Sequence, residues 1–249
     1  MEFTDIHCHI IPQVDDGSDS LETSIKLAQM MYDDGIRNVI CTPHFGIINP
    51  TYDPDKVTEK FKLLSNEIKK IHPDMKLYRG NELFVAPAYP DGLDDEKSRT
   101  LAGSEYVLVE FDDDVDYDTV IHEFRKLLIR GYFPIWAHAE RYIHVFRTVK
   151  ELRFIVEQGV MIQVNSSSIC TLSEPVKHRL LSGKSNAMIL REMLTEGLVH
   201  FVATDCHDMP GREPRMTEAA KVLEEIIGEE KTREIMNENP KMIIESIVE

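Results

Sequence analysis

Two histidines near the N-terminus are the clearest candidates for chemistry in this sequence. His7 and His9 follow a short apolar run at residues 3–6. Because residues i and i+2 of a strand point to the same face, both imidazoles can reach one metal ion. The segment Asp205-Cys206-His207 repeats the spacing after a run at residues 201–204. It offers a carboxylate and a further imidazole in the same way.

Other residues of metal-binding type also follow short apolar runs. Five of the 10 histidines stand in such positions, which independent placement would rarely produce. Carboxylates beside imidazoles suit divalent metals, and two glutamates are placed in the same way. The candidate ligands are His7, His9, His44, Glu82, Glu110, His138, Asp205 and His207. The histidines without such a position, which we interpret as ordinary residues, are His72, His122, His144, His178 and His200.

A second interpretation of this set needs no metal. Crowded carboxylates without metal ions repel one another and raise one another's pKa values. Basic side chains can neutralise such a group, and Arg141, Lys184 and Arg212 are available to do so. The residue types alone leave both interpretations open.

The elements that must position these residues alternate between strand and helix. Segments 21–32 and 57–71 carry apolar residues at helical spacing. A glycine, which favours the end of a helix, precedes four of the apolar runs: Gly35, Gly131, Gly159 and Gly197. The predicted strands are the runs at residues 3–6, 39–42, 77–80, 106–109, 133–137, 161–164 and 201–204.

This alternation predicts parallel strands with helical crossovers, in either an open sheet or a closed barrel. An open sheet concentrates its site at one crevice, whereas a barrel brings the carboxyl ends of all strands to one mouth. Candidate site residues follow every run, including Asn165 after the run at 161–164, so we predict an α/β barrel. No linker, composition break or internal repeat divides the chain, and one domain over residues 1–249 is expected.

Composition and charge exclude several classes of protein. The 249 residues are 42% hydrophobic and 29% charged, as in globular proteins. A net charge of −16 argues against binding to nucleic acid or to an anionic membrane.

No signal peptide or apolar run of membrane-spanning length is seen, so a cytoplasmic location is expected. The cysteines are too few and scattered for a disulfide framework: Cys8, Cys41, Cys170 and Cys206. The acidic run at 112–116 is interpreted as a solvated loop.

Six segments that carry the candidate ligands form an ordered set between Phe3 and about Arg215. They are Phe3-Thr4-Asp5-Ile6-His7-Cys8-His9 with Asp15-Asp16-Gly17, Cys41-Thr42-Pro43-His44, Gly80-Asn81-Glu82, Glu110-Phe111, Ala137-His138-Ala139-Glu140-Arg141-Tyr142 and Thr204-Asp205-Cys206-His207. As a set they resemble the polymerase and histidinol phosphatase (PHP) superfamily. More narrowly, they are similar to the bacterial metal-dependent protein-tyrosine phosphatases of capsule and exopolysaccharide operons.

The resemblance implies a distorted (β/α)₇ TIM-like barrel, the PHP fold, with three divalent metal ions, usually Mn²⁺ and alternatively Fe or Zn. It assigns the first metal to His7, His9, Glu82 and Asp205. The second metal shares Glu82 and adds Glu110 and His138. The third takes His44, His207 and either Asp15 or Asp16, of which we choose Asp16. Many superfamily members have histidine where this chain has Glu110 and Asp16, a departure that matches the tyrosine-phosphatase branch.

The expected chemistry is attack on a phosphate monoester by a hydroxide that bridges the metals. The ions, the ligand carboxylates and the hydroxide leave a net charge of about +1, and the metals lower the pKa of the bridging water. Phosphotyrosine has a favourable leaving group, a phenol with a pKa of about 10. Arg141 and Arg212 can hold phosphoryl oxygens, although surface salt bridges are the alternative. The predicted catalytic residues are Arg141, Arg212, His207 and Asp205.

We therefore predict a metal-dependent protein-tyrosine phosphatase. By resemblance, its partner is the tyrosine-rich tail of a bacterial tyrosine kinase that controls polysaccharide export. The alternatives are a PHP phosphoesterase for a small phosphorylated metabolite and a noncatalytic metal-stabilised module that recruits the kinase. A slot for a tyrosine ring would separate the first two. Four apolar or aromatic residues after His44 either form that slot or are buried under their loop: Phe45, Ile47, Ile48 and Tyr52.

A rival mechanism is raised by Cys206 and Arg212, which form a Cys-x₅-Arg match. This pattern resembles the cysteine-dependent tyrosine phosphatases, which use a thiolate nucleophile and bind phosphate by backbone N–H groups. Pro210 removes one such donor, and Asp208 places a carboxylate where the anion must bind. We therefore predict the metal mechanism.

Overall fold

The computed structural model describes residues 2–87, 91–173, 186–207 and 212–246. Its strands are β1 (Phe3–Cys8), β2 (Ile36–Cys41), β3 (His44–Phe45), β4 (Lys76–Arg79), β5 (Glu82–Phe84), β6 (Tyr106–Glu110), β7 (Phe133–Trp136), β8 (Met161–Asn165) and β9 (Phe201–Ala203). Its helices are α1 (Leu21–Asp33), α2 (Pro54–Ile71), α3 (Tyr117–Ile129), α4 (Ile143–Phe146), α5 (Val149–Glu157), α6 (Ser166–Cys170), α7 (Asn186–Thr195), α8 (Met216–Arg233) and α9 (Asn239–Glu245). The prediction of one domain over residues 1–249 extends beyond the described residues and stays a prediction.

All seven predicted strands are present, and two short strands continue two of them. Strand β3 follows β2 after a two-residue break, and β5 follows β4 in the same way. Parallel pairing runs β1-β2-β4 in one sheet and β3-β5-β6-β7-β8-β9 in the other. Across the two breaks, the Gly80 N–H donates to the Cys41 carbonyl at 2.9 Å and the Glu82 N–H to the Pro43 carbonyl at 3.3 Å. The two sheets therefore continue each other.

The first and last strands are also joined, so that the sheet curls round on itself. The Asp205 N–H donates to the His7 carbonyl at 2.8 Å, and the His9 N–H donates to the Cys206 carbonyl at 3.1 Å. The buried Asp5 carboxylate accepts from the Thr204 N–H at 3.0 Å and from its hydroxyl at 2.5 Å. This curled parallel sheet is that of a distorted TIM-like barrel, as the sequence predicted.

The inside of the curled sheet is apolar near the amino ends of the strands and polar near their carboxyl ends. The apolar layer is one buried cluster that includes Ile6, Ile40, Leu101, Leu108, Ile135, Phe201 and Ile243. A larger apolar cluster packs the sheet against the helices. Since inward-facing side chains alternate with outward-facing ones, the same strands also carry polar side chains to the mouth.

A bulge in β1 changes which of its side chains face inward. Asp5 pairs with Val39 and Cys8 with Cys41, so one strand has an extra residue between these pairs. Both Ile6 and His7 therefore face the inside, Ile6 in the apolar cluster and His7 at the mouth. Bulges commonly re-aim a side chain beside a functional site.

The helix predictions are confirmed. Helices α1 and α2 cover the two segments of helical spacing, and the Ser20 and Asp53 side chains cap their first N–H groups. The four glycines predicted at helix ends all have positive φ, which residues with a Cβ adopt only at a cost. The acidic run is an exposed loop whose Asp116 caps α3. Among the described helices, none has the length and apolar character needed to cross a membrane.

Candidate metal centre

Glu82 lies at the centre of the polar layer and is fully buried. Its Oε2 atom is 3.1 Å from His7 Nε2, 3.2 Å from His9 Nε2 and 3.1 Å from His44 Nδ1. Its Oε1 atom is 2.9 Å from His138 Nε2. These imidazoles come from different parts of the sheet, so the fold has brought the predicted ligand set together around one carboxylate.

The candidate ligand atoms form three overlapping groups, in each of which all atoms lie within 4.8 Å of one another. The groups are His9, Asp16, His44 and His207; His7, His9 and Glu82; and His44, Glu82 and Glu110. His138 lies 3.3 Å from Glu110, and Asp205 lies 3.5 Å from His7. All nine predicted ligands therefore surround one site, and the three groups of atoms differ from the predicted metal assignments at His9, His44, His138 and Asp205. The division of the ligands among three ions stays a prediction.

The two neighbouring aspartates of the loop after β1 have different partners. Asp15 Oδ2 is 2.7 Å from His9 Nδ1, on the side of the ring that faces away from Glu82, and it also accepts from the His44 N–H. Asp16 Oδ1 is 3.4 Å from His44 Nε2 and 3.5 Å from His207 Nε2. Asp15 is therefore placed to orient a ligand, whereas Asp16 is placed to be one.

Gly17 allows that loop to fold back onto β1. A Cβ atom at this position would lie 2.2 Å from the His9 carbonyl oxygen and 2.5 Å from the His9 Cβ, which no real side chain can do. The Ser18 N–H also donates to the His9 carbonyl at 3.1 Å. The glycine is thus required by close backbone approach beside a candidate ligand.

Arg141 and Arg212 reach the mouth and share one carboxylate. Arg141 Nη2 donates to Asp205 Oδ2 and Arg212 Nη2 donates to Asp205 Oδ1, each at 2.7 Å. Asp205 is buried, whereas the arginine side chains are 41% and 27% exposed. The third basic side chain considered, Lys184, lies outside the described residues.

Two amide side chains, Gln163 and Asn165, lie behind the ligands, and the sequence analysis missed Gln163. The buried Gln163 Oε1 accepts from the His138 N–H at 2.9 Å and is 3.1 Å from His7 Nδ1. Gln163 Nε2 donates to Asn165, whose own amide donates to Asp205 Oδ2 at 2.9 Å. The signal available in the sequence was Gln163 itself, a lone polar residue inside the apolar run at 161–164. Such partners fix the orientation of metal-ligating rings.

Two candidate site residues have unusual backbone conformations. His138 has φ +33° and Asp205 has φ +50°, a region that non-glycine residues rarely occupy. Both stand just after a strand, where the local conformation turns the side chain into the mouth. Strain of this kind clusters at functional sites.

Charges of opposite sign shift the pKa values of the cluster in the chain without ions. Burial alone would raise the pKa of Glu82, but the charges of His7 and His44 hold it well below its usual value. Burial opposes protonation of His138, yet hydrogen bonds to Glu110 and Glu82 raise its pKa to about 9. The same carboxylates that hold these protons can attract divalent ions, which must displace the protons from the imidazoles to bind.

Unsatisfied buried atoms test directly whether the residues fit metal ions. Buried polar atoms without a hydrogen-bond partner are rare. Within the described residues, five such atoms belong to this cluster: His44 Nδ1, Glu82 Oε2, Glu110 Oε2, His138 Nδ1 and His207 Nε2. Imidazole nitrogens and carboxylate oxygens are the donors that transition metals prefer, so the residues fit the group.

The other histidines lie apart from this cluster. His72 stacks on Tyr32, His144 contacts the Asp113 carbonyl, and His200 accepts from the Ile162 N–H. His122 is exposed, and His178 lies outside the described residues. None of the four described ones belongs to the candidate ligand groups.

Cys206 has no property of an activated nucleophile. It is fully buried, and the neighbouring Cys8 thiol together with burial raises the pKa of its thiol well above the usual value. Reactive cysteines have lowered pKa values and are accessible. The segment with Asp208 and Pro210 lies outside the described residues.

The residues after His44 divide between the core and the mouth. Phe45 is buried in edge-to-face contact with Tyr52 at a ring distance of 5.0 Å. Ile47 and Ile48 are 55% and 44% exposed. A cleft of about 470 Å³ extends from Asp16 and His44 past Ile48 to Lys56. Of the two alternatives, burial under the loop therefore applies to Phe45 and in part to Tyr52, whereas Ile48 lines the cleft beside the candidate ligands.

Comparison with known proteins agrees with this site. The family model "Capsular polysaccharide synthesis, CpsB/CapC" matches residues 3–245. "Tyrosine-protein phosphatase CpsB" of Streptococcus agalactiae (strain NEM316) is 29% identical over 97% of this chain and 98% of its own length. "Tyrosine-protein phosphatase YwqE" of Bacillus subtilis (strain 168) is 29% identical over 96% of this chain and 91% of its own length.

Solved structures show the same relationship. A crystal structure from a study of YwqE from Bacillus subtilis and CpsB from Streptococcus pneumoniae, described as unique metal-dependent tyrosine phosphatases, superposes with a TM-score of 0.84. It is 29% identical and covers 98% of this chain and 95% of its own. A D-hydantoinase with a TM-score of 0.57 and 11% identity, covering 94% of this chain and 68% of its own, shares the fold alone.

Proposed function

Because the chain belongs to the CpsB/CapC family of capsular polysaccharide synthesis proteins, we propose that it is a metal-dependent protein-tyrosine phosphatase. The observation that carries the proposal is the convergence of eight other candidate ligand side chains around Glu82 at the mouth of the curled sheet. This site lies in a chain whose relatives of equal length are named tyrosine-protein phosphatases.

The proposed cofactors are three divalent metal ions, with Mn²⁺ favoured by the family resemblance. When bound, such ions lower the pKa of water and stabilise negative charge on phosphoryl oxygens. Glu82 is central to the set, and Asp15 and Gln163 hold the His9 and His7 rings in place. The proposed ligands are His7, His9, Asp16, His44, Glu82, Glu110, His138, Asp205 and His207.

Arg141 and Arg212 are proposed to bind the phosphoryl oxygens of the substrate. Each guanidinium has five N–H donors in a fixed plane. Among the described residues, Asp205 accepts a hydrogen bond from the Nη2 group of each arginine. Both arginine side chains are partly exposed. Asp205 thus positions both cations, and burial lowers the pKa of His207, which favours the neutral imidazole that metal binding requires.

The cleft beside His44 is lined mostly by polar residues and has an apolar edge against which a substrate ring can lie. Ile48 gives the cleft an apolar edge next to the candidate ligands, and Lys56 lies at its far end. A phosphotyrosine side chain in a peptide has both a ring and flanking residues to fill such a cleft. The proposed partner is a phosphotyrosine protein, specifically the tyrosine-rich tail of a bacterial tyrosine kinase. A cytoplasmic location stays a prediction.

Comparative turnover tests this assignment. We expect the Mn²⁺-loaded protein to hydrolyse a phosphotyrosine peptide with a higher kcat/KM than histidinol phosphate or sugar phosphates, because the ring contacts the cleft. Phosphate release from each substrate is the measurement. Higher efficiency on the small metabolites would favour the phosphoesterase alternative, and no turnover of any aryl phosphate would favour a noncatalytic module.

Arg141→Ala and Arg212→Ala should each retain bound metal but lower kcat/KM for an aryl phosphate by about 100-fold, as expected when a preorganised donor to the transition state is removed. Lysine at either position should restore little, because an ammonium cannot reproduce the planar pair of donors. Steady-state kinetics and metal analysis provide the measurements.

Arg153→Ala is the matched control for these variants. Arg153 is 40% exposed and pairs with Glu196 at 2.7 Å, much as Arg141 pairs with Asp205, but it lies on α5. It should keep wild-type kinetics. Wild-type kinetics in both Arg141→Ala and Arg212→Ala would refute their role.

A further inference from the structure

A second pocket, on the outer side of the sheet, has two arginines among its lining residues. The pocket has a volume of about 470 Å³ and is lined by Arg79 from β4 and Arg99 from the segment before β6. Arg79 Nη1 donates to the Thr58 hydroxyl of α2 at 2.6 Å, and its guanidinium lies 5.9 Å from the centre of the Phe61 ring. The Arg79 side chain therefore faces α2, outside the sheet.

The arginine pocket is distinct from the metal centre. Arg79 precedes Glu82 by three residues, which corresponds to roughly 10 Å along an extended strand. Glu82 contacts imidazoles inside the curled sheet, whereas Arg79 contacts a helix outside it. The two sites therefore lie on opposite faces of the continuous strand that β4 and β5 form.

These two cations lack the carboxylate partners that other arginines of the chain have. Acidic residues outnumber basic ones by 44 to 28, and Arg130, for example, pairs with both Asp91 and Asp94. Among the described residues, no carboxylate forms an ion pair with Arg79 or Arg99, although Glu96 also lines the pocket. Burial and the nearby charge of Arg99 lower the pKa of Arg79, as expected for cations that repel each other.

The remaining walls of the pocket indicate the class of ligand. Phe61, Leu77 and Leu93 provide an apolar wall, and Thr100 provides a hydroxyl beside Arg99. Paired guanidinium groups recognise phosphate through charge-assisted hydrogen bonds, and an apolar wall suits a ring. We propose that Arg79 and Arg99 form a second anion site that binds an aryl phosphate monoester, with its phosphate on the arginines and its ring on the apolar wall.

Calorimetric titration with phenylphosphonate, which cannot be hydrolysed, tests the proposal on the metal-loaded protein. We expect two molecules to bind per chain, one at the metal centre and one in the arginine pocket. Arg99→Glu should weaken the second by at least about 10-fold, since it replaces a charge-assisted donor with a repelling carboxylate. The double variant Arg141→Ala/Arg212→Ala should weaken only the molecule at the metal centre. Failure of Arg99→Glu to weaken any bound molecule, whether the wild type binds one molecule per chain or two, would overturn the proposal.

Control variants separate loss of the site from loss of the fold. The Arg99 guanidinium makes no hydrogen bond with the described residues, so Arg99→Glu should leave the circular dichroism spectrum unchanged. Arg79→Gln provides a second variant and should weaken the same molecule. Arg153→Glu, which reverses a charge paired with Glu196 elsewhere, should still bind two. Loss of the second molecule in Arg153→Glu as well would show a general charge effect and refute the site.

Kinetics distinguish two sources of such a ligand, a second phosphotyrosine of the same substrate and a free aryl phosphate. This kinetic experiment, unlike the calorimetry, rests on the proposed phosphatase activity. If the ligand is a second phosphotyrosine of the same substrate, a doubly phosphorylated peptide should have a lower KM than its singly phosphorylated form, and Arg99→Glu should remove the difference. Equal KM values with intact phenylphosphonate binding would support the site and assign it to a free aryl phosphate. The calorimetric result requires no turnover, so failure of the proposed function leaves it interpretable.

Discussion

Glu82→Gln should abolish most metal binding and lower turnover by at least about 100-fold, since changes even to the partners of metal ligands cost 10- to 100-fold. Glu82 contacts four candidate ligand rings through its two oxygens, more than any other carboxylate described at the mouth. Glutamine keeps the shape but loses the negative charge that the cations require. Metal analysis of the purified variant and turnover of an aryl phosphate are the measurements.

A buried glutamate elsewhere provides the control for this prediction. Glu123 on α3 is 4% exposed and pairs with Lys126 at 2.6 Å. Glu123→Gln should therefore keep metal and turnover even if it lowers the melting temperature. A full metal complement with normal turnover in Glu82→Gln would remove Glu82 from the site.

A chelator should reduce turnover to about 1% or less, and added Mn²⁺ should restore it, because the metals supply both the nucleophile and charge stabilisation. Cys206→Ser should meanwhile retain most of the wild-type turnover. The reason is structural: the Cys206 thiol is fully buried and its pKa is raised, so it is not a thiolate near neutral pH. Both results come from one aryl phosphate assay.

Cys206→Ala accompanies Cys206→Ser to separate chemistry from packing. Serine introduces a hydroxyl beside the buried Cys8, whereas alanine introduces no polar group. Loss of activity in both variants, with full activity surviving in the chelator, would replace the metal mechanism with a cysteine mechanism. Loss in the serine variant alone would indicate destabilisation, which a melting curve would detect.

Much of the fold was predictable because its signals are local. Each strand is a short apolar run, each long helix has an apolar stripe, and glycines with positive φ end four of the helical segments. These patterns depend on residues close together in sequence. The two short strands β3 and β5 were not predicted, because pairs such as His44–Glu82 form only once the sheet has curled.

The candidate site was predictable as a set of residue types but not as an arrangement. His7-x-His9 and the polar residues after the strands identified eight of the nine proposed ligands, since the carboxyl ends of parallel strands meet at one mouth, and the family resemblance added Asp16. Their division among ions was not predictable from spacing. The rings of His9 and His44 each approach two of the ligand groups, which depends on how separate strands pack.

By itself, the sequence determined the order of strands and helices, the chemical types at the mouth and the family. Only the tertiary structure decided that Asp15 orients His9 while Asp16 faces His44, that Gln163 supports His7, and that Arg79 and Arg99 share a pocket. The physical reason is distance along the chain. Propensity and periodicity act over a few residues, whereas these contacts join residues up to 156 positions apart. The bulge in β1 and the closure of the sheet fix these long-range contacts.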